Sequence, residues 1–80
     1  MLFKVHYVNS YGRDDNAMGR SDSKLGNIYI CSEMPKDIQE QTLLHEVLHI
    51  IDYNLGTKLT EEQVLALSAG MYSFFKENKL

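Results

Sequence analysis

The chain contains almost no cysteine, since Cys31 is the single one among 80 residues. An intrachain disulfide is therefore excluded, and the composition differs from that of the disulfide-stapled proteins of oxidising compartments. We expect a reducing compartment, the cytoplasm. Cys31 itself is predicted to be a small buried side chain rather than a ligand or a nucleophile.

Long apolar runs and an excess of positive charge are also missing. No stretch approaches the roughly 18 apolar residues of a membrane span, and the first residues lack the basic start and the apolar middle of a signal peptide. Eight Lys and Arg against eleven Asp and Glu give a net charge of −3, the wrong sign for binding phosphate backbones through bulk charge. We therefore expect neither a membrane nor a nucleic-acid partner.

What remains is an ordinary globular composition, with 44% hydrophobic and 24% charged residues. The length fits one domain over residues 1–80. A chain this short buries only a little over half of the surface that it exposes when unfolded, so a bound metal or a partner would add needed stability.

The first third of the chain predicts short strands. Apolar alternation over residues 2–8 predicts a strand whose inner face consists of Phe3, Val5 and Tyr7. Residues 9–26 are rich in Gly, Ser, Asn and Asp, which predicts a polar loop that can hold a short strand near residues 17–23.

A turn and a second strand come next. Gly26 and Asn27 predict the turn, and residues 28–31 are rich in side chains that favour strands. Pro35 ends any extended segment beyond them.

A helix is predicted over residues 36–54. Asp37 or Ser32 would be its N-cap, and Gly56 would be its C-terminal stop.

A second helix is predicted from Thr60 to about residue 76. Thr60 and Gln63 have capping-box spacing at its start. The expected fold is α+β, with a small sheet of two or three strands packed on the first helix and a second, C-terminal helix. One apolar face of the second helix is predicted to consist of Val64, Leu65, Leu67, Met71, Tyr72, Phe74 and Phe75.

The first helix carries His45, Glu46 and His49 in the HExxH spacing of zinc hydrolases. Residues four apart lie one turn above another, so both imidazoles can reach one ion at about 2 Å. Glu46 lies beside them, where it can hold a metal-bound water and take its proton as a general base. A helical projection places both histidines opposite the apolar arc, which favours a zinc site over two unrelated histidines.

An open zinc site needs a third protein ligand, and Asp52, Glu61 and Glu62 are the candidates downstream. On a helical projection, Glu61 falls within the packed arc of the second helix, whereas Glu62 falls outside it, where an acidic residue complements the helix dipole. A carboxylate on a packed face must be paired, protonated or metal-bound, so Glu61 is the predicted ligand.

Asp52, one turn beyond His49, is expected to accept a hydrogen bond from the distal nitrogen of a ligand histidine or from a backbone group. Direct ligation is the second choice for it.

No residue is assigned to stabilise the transition state. Zinc hydrolases usually add a donor from Tyr, His or Arg, and Tyr53, Tyr72 and His6 are the candidates. Tyr72 is expected to belong to the core, and Tyr53 lies toward the metal side of its helix.

These motifs resemble the small zincin-type metallopeptidase-like proteins of phages and prophages, and more broadly the gluzincins. The resemblance covers residues 26–80. It implies a minimal zincin core in which His45, His49 and Glu61 bind zinc and Glu46 activates water. The matching positions are His45-Glu46-x-x-His49-x-x-Asp52, then Gly56 and Leu59-Thr60-Glu61-x-Gln63-Val64-x-x-Leu67.

The resemblance also implies a substrate-binding strand before the HExxH helix, formed here by Ile28, Tyr29 and Ile30. Such a strand forms one wall of the cleft and pairs with an extended peptide as an added strand. The alternative is that residues 28–31 form the buried central strand of a three-stranded sheet.

Two functions remain open. The leading one is a zinc metallopeptidase that hydrolyses a peptide bond by attack of zinc-activated water, with Glu46 as general base, in the host cytoplasm if phage-encoded. The alternative is a non-catalytic module that zinc stabilises and that recognises a phage or host protein through the cleft. Three ligands plus Glu46 favour hydrolysis, whereas a fourth ligand from Asp52 would favour the binding module.

Overall fold

The computed structural model describes residues 3–9 and 19–79. It has the predicted α+β architecture, with a three-stranded sheet and two helices. Within the described ranges, neither helix combines the length and the apolar character that a membrane crossing requires. The greater part of the predicted polar loop, residues 10–18, lies outside the described residues. The elements are β1 (Lys4–Val8), β2 (Gly19–Asp22), β3 (Asn27–Cys31), α1 (Lys36–Leu55) and α2 (Glu61–Asn78).

The sheet is mixed, with strand order β1-β3-β2. The central strand β3 runs parallel to β1 and antiparallel to β2. A hairpin joins β2 to β3, and its turn is closed by the N–H of Gly26, which donates to the carbonyl oxygen of Asp22 at 2.8 Å. Gly26 has a φ of 78°, a left-handed value that glycine adopts without a Cβ penalty. The predicted turn at Gly26 is confirmed, and Asn27 already belongs to β3.

Helix α1 lies between the sheet and α2. It contacts β2, β3 and α2, whereas α2 contacts α1 alone among the described elements. The core between the sheet and α1 is built from Ile28, Ile30 and Ile50, with Leu43 and Val47 packed against them. The fold therefore stacks sheet, α1 and α2 in that order, and both broad faces of α1 are covered.

The predicted burial of the inner face of β1 is wrong. Val5 and Tyr7 pair in register with Ile28 and Ile30 and so share their side of the sheet. Nevertheless, Phe3, Val5 and Tyr7 are 41%, 40% and 58% exposed. One helix about 10 Å wide covers roughly two strands that lie about 4.8 Å apart. Because α1 packs over β2 and β3, it leaves β1 uncovered.

The start of α1 differs from the prediction, whereas its end agrees. Pro35 is the N-cap and makes no side-chain cap bond. Asp37 lies inside the helix, and the hydroxyl of Ser32 donates to the carbonyl oxygen of Val8 at 3.0 Å instead. At the other end Gly56 adopts a left-handed φ of 66° and stops the helix.

Helix α2 begins with the predicted capping box. The hydroxyl of Thr60 accepts the N–H of Gln63 at 3.1 Å, and Oε1 of Gln63 accepts the N–H of Thr60 at 2.9 Å. The apolar face is only partly covered, because α1 is the one element in the described ranges that α2 contacts. Val64 is fully buried, whereas Leu65, Leu67 and Phe74 are exposed.

Candidate metal centre

Helix α1 presents His45 and His49 on one face, one turn apart. Their Nε2 atoms lie 3.1 Å apart, and the two rings are inclined at 73°. The side chains are 18% and 33% exposed. The four-residue spacing thus brings both nitrogens to one point at the surface of the helix.

Glu61 approaches the same point from the first turn of α2. Its Oε1 lies 3.4 Å from Nε2 of His45 and 3.0 Å from Nε2 of His49. These three residues form the one group of potential metal donors within residues 3–9 and 19–79, with their ligand atoms within 4.8 Å of one another. Glu62 is not in the group. The Glu61 side chain is 61% exposed, so its predicted burial on the packed face of α2 is wrong, although its carboxylate does reach both histidines.

The distances between the three donor atoms fit a single cation. A tetrahedral zinc ion with ligands at about 2.0–2.1 Å separates its donor atoms by roughly 3.3 Å, close to the 3.0, 3.1 and 3.4 Å observed. A neutral imidazole has at most one proton on Nε2, so without a cation the three pairs cannot all be hydrogen bonds. Two imidazoles and one carboxylate are donors that suit zinc.

Asp52 is bonded to the loop between the helices. Its carboxylate accepts hydrogen bonds from the hydroxyl of Thr57 and, at 2.9 Å, from the N–H of Leu59. These two donors, Thr57 foremost, hold the pKa of Asp52 below its ordinary value of 3.8. Of the two roles predicted for Asp52, bonding to a backbone group is the one observed, and Asp52 does not join the three-donor group.

This loop determines where α2 begins. Gly56 and Lys58 both have left-handed φ values, 66° and 60°, and a non-glycine residue adopts that conformation only at a cost. The bonds to Asp52 stabilise this conformation, so that the chain enters α2 at Thr60 with Glu61 facing the histidines.

Glu46 lies on α1 between the two histidines and is only 7% exposed. In the described part of the chain, no hydrogen bond or ion pair reaches its carboxylate. A buried carboxylate without partners is unfavourable, so this group is available to accept a hydrogen bond from a water or ligand in the cleft. Glu46 lines the same cleft as His45 and Glu61.

The cleft lies between β2, α1 and α2 and encloses about 440 Å³. Gly19 brings β2 close to α1, since a Cβ on it would lie 2.5 Å from Cγ2 of Thr42 and 3.0 Å from the carbonyl oxygen of Tyr29. The lining residues are Gly19, Ile38, Gln41, Thr42, His45, Glu46, Glu61, Leu65, Ser68 and Ala69.

The prediction that Ile28, Tyr29 and Ile30 receive a peptide as an added strand is wrong. They belong to β3, which is paired on both sides, as the alternative of a central strand predicted. Ile28 and Ile30 are fully buried, and the Tyr29 ring stacks on His6 at 4.9 Å on the other side of the sheet. The edge strand at the cleft is β2 (Gly19–Asp22), which lies where a short strand was predicted near residues 17–23.

None of the three residues considered for transition-state stabilisation lines the cleft. The hydroxyl of Tyr72 donates to Glu40 at 3.3 Å, Tyr53 is 58% exposed, and His6 lies on the outer side of the sheet. Sequence reasoning assigned no role to Gln41 or Thr42, which do line it. Their positions, four residues before His45 and Glu46 on the same helix, were the available signal.

The centre thus combines three donors for one cation, a buried carboxylate and an open cleft. A function is inferred from this geometry alone, because the comparisons with known proteins found no relative. No family model, no curated protein and no solved structure matches the chain.

Proposed function

We propose that the protein is a zinc-dependent hydrolase that cleaves peptide bonds, with His45, His49 and Glu61 as zinc ligands and Glu46 as general base. The observation that carries this proposal is the convergence of two Nε2 atoms and one carboxylate oxygen within 4.8 Å, in a cleft that also contains a buried carboxylate to which none of the described residues bonds. The resemblance to small zincin-type proteins of phages agrees with it.

The residues divide the chemistry between them. A zinc ion, when bound, would supply Lewis-acid activation of water and of the scissile carbonyl. Glu46 accepts the proton of the attacking water on its carboxylate and then passes it to the leaving amine. Three ligands leave a coordination position open, as a catalytic site requires. Asp52 does not close it, because its carboxylate bonds Thr57 and Leu59.

The proposed substrate is an extended peptide that lies along β2. This strand is at the edge of the described sheet, and its first residue, Gly19, lines the cleft. The backbone groups of an edge strand can pair with an extended chain of any sequence.

The free Cys31 agrees with a cytoplasmic protein.

The second candidate function is a binding module that zinc stabilises. It is favoured by the attachment of α2 to α1 alone among the described elements, because a cation bridging the two helices would hold α2 in place. Glu46 favours hydrolysis over this alternative, since a structural cation has no use for a base.

The substitution Glu46→Gln tests the hydrolase. The amide keeps the shape of the carboxylate but cannot accept the proton. We therefore expect this variant to retain about one zinc per chain and to lose peptide hydrolysis by at least about 100-fold. Elemental mass spectrometry of protein purified without chelator measures the zinc, and a quenched fluorescent peptide mixture measures cleavage.

The matched control is Glu62→Gln, which removes the same charge outside the three-donor group and should change neither quantity. Equal hydrolysis by the wild type and Glu46→Gln would contradict the proposal. Zinc binding without hydrolysis in any of the proteins would favour the binding module.

A further inference from the structure

One glutamine in the cleft, Gln41, has no side-chain hydrogen-bond partner among the described residues. Gln39 donates its amide to the carbonyl oxygens of Ser32 and Met34 at 3.2 and 2.7 Å, and Gln63 completes the capping box of α2. Gln41, by contrast, is half-buried and makes no side-chain hydrogen bond to any of the residues that the structure describes. Its amide is therefore available to an incoming group, and a half-buried amide gains from being bonded.

Gln41 lies in line with the cation site. It lines the cleft together with Ile38, His45 and Glu46 of the same helix, so the cleft extends along α1 from the histidines toward the N-terminus of the helix. Gln41, His45 and His49 are spaced four residues apart and form one row. Four residues of an α-helix rise about 6 Å, which is the spacing along the helix axis between the backbone positions of Gln41 and His45.

This spacing is close to the repeat of an extended peptide. Residues two apart in a strand point the same way and are about 6.6–6.8 Å apart. A peptide lying along the cleft, with one carbonyl at the cation site, therefore brings another carbonyl of the same orientation close to Gln41. A glutamine amide offers two N–H donors to such an oxygen.

We propose that Gln41 binds the main chain of the substrate by donating its side-chain amide to a peptide carbonyl two residues from the scissile one. This inference rests on the proposed function, because it assigns a substrate contact in the same cleft. Ile38, Leu65 and Ala69 also line the cleft and give it an apolar wall that shields the bond from water, which strengthens it.

Hydroxamates test this contact without requiring hydrolysis. Acetohydroxamate binds the cation site alone, whereas two peptide hydroxamates also extend along the cleft. N-acetyl-dileucyl hydroxamate extends toward the amino side of the scissile position, and the succinyl hydroxamate of dileucine amide extends toward the carboxyl side. The measured quantity is the factor by which each peptide hydroxamate binds the zinc-loaded protein more tightly than acetohydroxamate.

We expect at least one peptide hydroxamate to bind more tightly than acetohydroxamate, and Gln41→Met to reduce that advantage about fivefold to tenfold, the effect of one hydrogen bond. The zinc content and the affinity for acetohydroxamate should not change. Gln41→Glu, which keeps an acceptor and loses the donor, should reduce the advantage at least as much. Gln39→Met is the matched control and should leave it unchanged, because that amide bonds Ser32 and Met34 outside the cleft.

An advantage that is absent in the wild type, or unchanged in Gln41→Met, would overturn the inference and leave the proposed hydrolase standing. The expected pattern of affinities without any peptide cleavage would instead overturn the hydrolase and retain the peptide contact. Failure of acetohydroxamate to bind would overturn both, since the cation site itself would be wrong.

Discussion

At the scale of the residue, the centre depends on which of two neighbouring carboxylates faces the histidines. Glu61 and Glu62 both lie in the first turn of α2, where each complements the helix dipole. Only Glu61 has an oxygen 3.0 Å from His49 and 3.4 Å from His45. Adjacent helical residues point about 100° apart, so one carboxylate faces the imidazoles and the other does not.

The pair Glu61→Gln and Glu62→Gln tests this difference directly. We expect Glu61→Gln to weaken zinc binding by at least about 100-fold, because a neutral amide replaces a charged ligand, and Glu62→Gln to change it by less than about twofold. Competition with a chromophoric chelator measures both dissociation constants. A larger loss of affinity in Glu62→Gln would show that the wrong carboxylate has been chosen.

Sequence reasoning succeeded where the chemistry is local. The i, i+4 spacing alone places His45 and His49 on one face of a helix, and the helical phase distinguishes Glu61 from Glu62. The burial of Glu61 could not be predicted in the same way, because exposure depends on how α2 crosses α1. Gln41 lies four residues before His45, which the sequence shows, but only the folded structure shows that its amide makes no hydrogen bond to the described residues.

At the scale of the element, the cleft depends on how closely β2 approaches α1. Gly19 leaves no room for a Cβ, which would lie 2.5 Å from a methyl group of Thr42 and 3.0 Å from the backbone oxygen of Tyr29. Gly70, in contrast, lies in α2 with nothing within 4 Å of a Cβ built on it. A side chain is therefore sterically excluded at Gly19 and sterically permitted at Gly70.

We expect Gly19→Ala to lower the free energy of unfolding by about 1–3 kcal/mol, since a packed helix and a paired strand must separate to admit the methyl group. Gly70→Ala should raise it by up to about 1 kcal/mol, because alanine is the better helix former. Urea denaturation followed by circular dichroism measures both changes. Destabilisation by Gly70→Ala, or a neutral Gly19→Ala, would contradict this account.

The elements themselves were predicted unevenly. The helices and β3 carry strong patterns and lie close to their predicted positions. Strand β2 also lies within its predicted range, although it has few side chains that favour strands and is stabilised by pairing with β3 and packing on α1. The alternation in β1 correctly identified the side of Val5 and Tyr7, but a sequence pattern cannot say how many strands one helix covers.

At the scale of the whole molecule, a cation at the three donors would join two parts that share one interface. Of the elements described, α2 contacts α1 alone, and several of its apolar side chains are exposed. The histidines belong to α1 and Glu61 to α2. The bound cation would therefore fasten the outer helix to the rest of the fold.

Zinc should accordingly raise the melting temperature. At a free zinc concentration about 1,000 times the dissociation constant, binding to the folded state alone contributes about 4 kcal/mol, which corresponds to more than about 10 °C for a domain of this size. Thermal unfolding with and without zinc measures the shift. The double variant His45→Ala with His49→Ala should show none, and an equal shift in that variant would place the zinc elsewhere.

The three donor residues and the cleft depend on different parts of the chain. All three donors lie within residues 45–61, so the helical hairpin alone would supply the ligands of the proposed cation across a short loop, at a small entropic cost. The cleft, in contrast, needs β2, a distant segment that Gly19 holds against α1. The hairpin of α1 and α2, transplanted onto another scaffold, would keep the three cation donors and lose the cleft. In topological terms, the proposed cation binding would be encoded locally, and the proposed peptide cleavage would require long-range contacts.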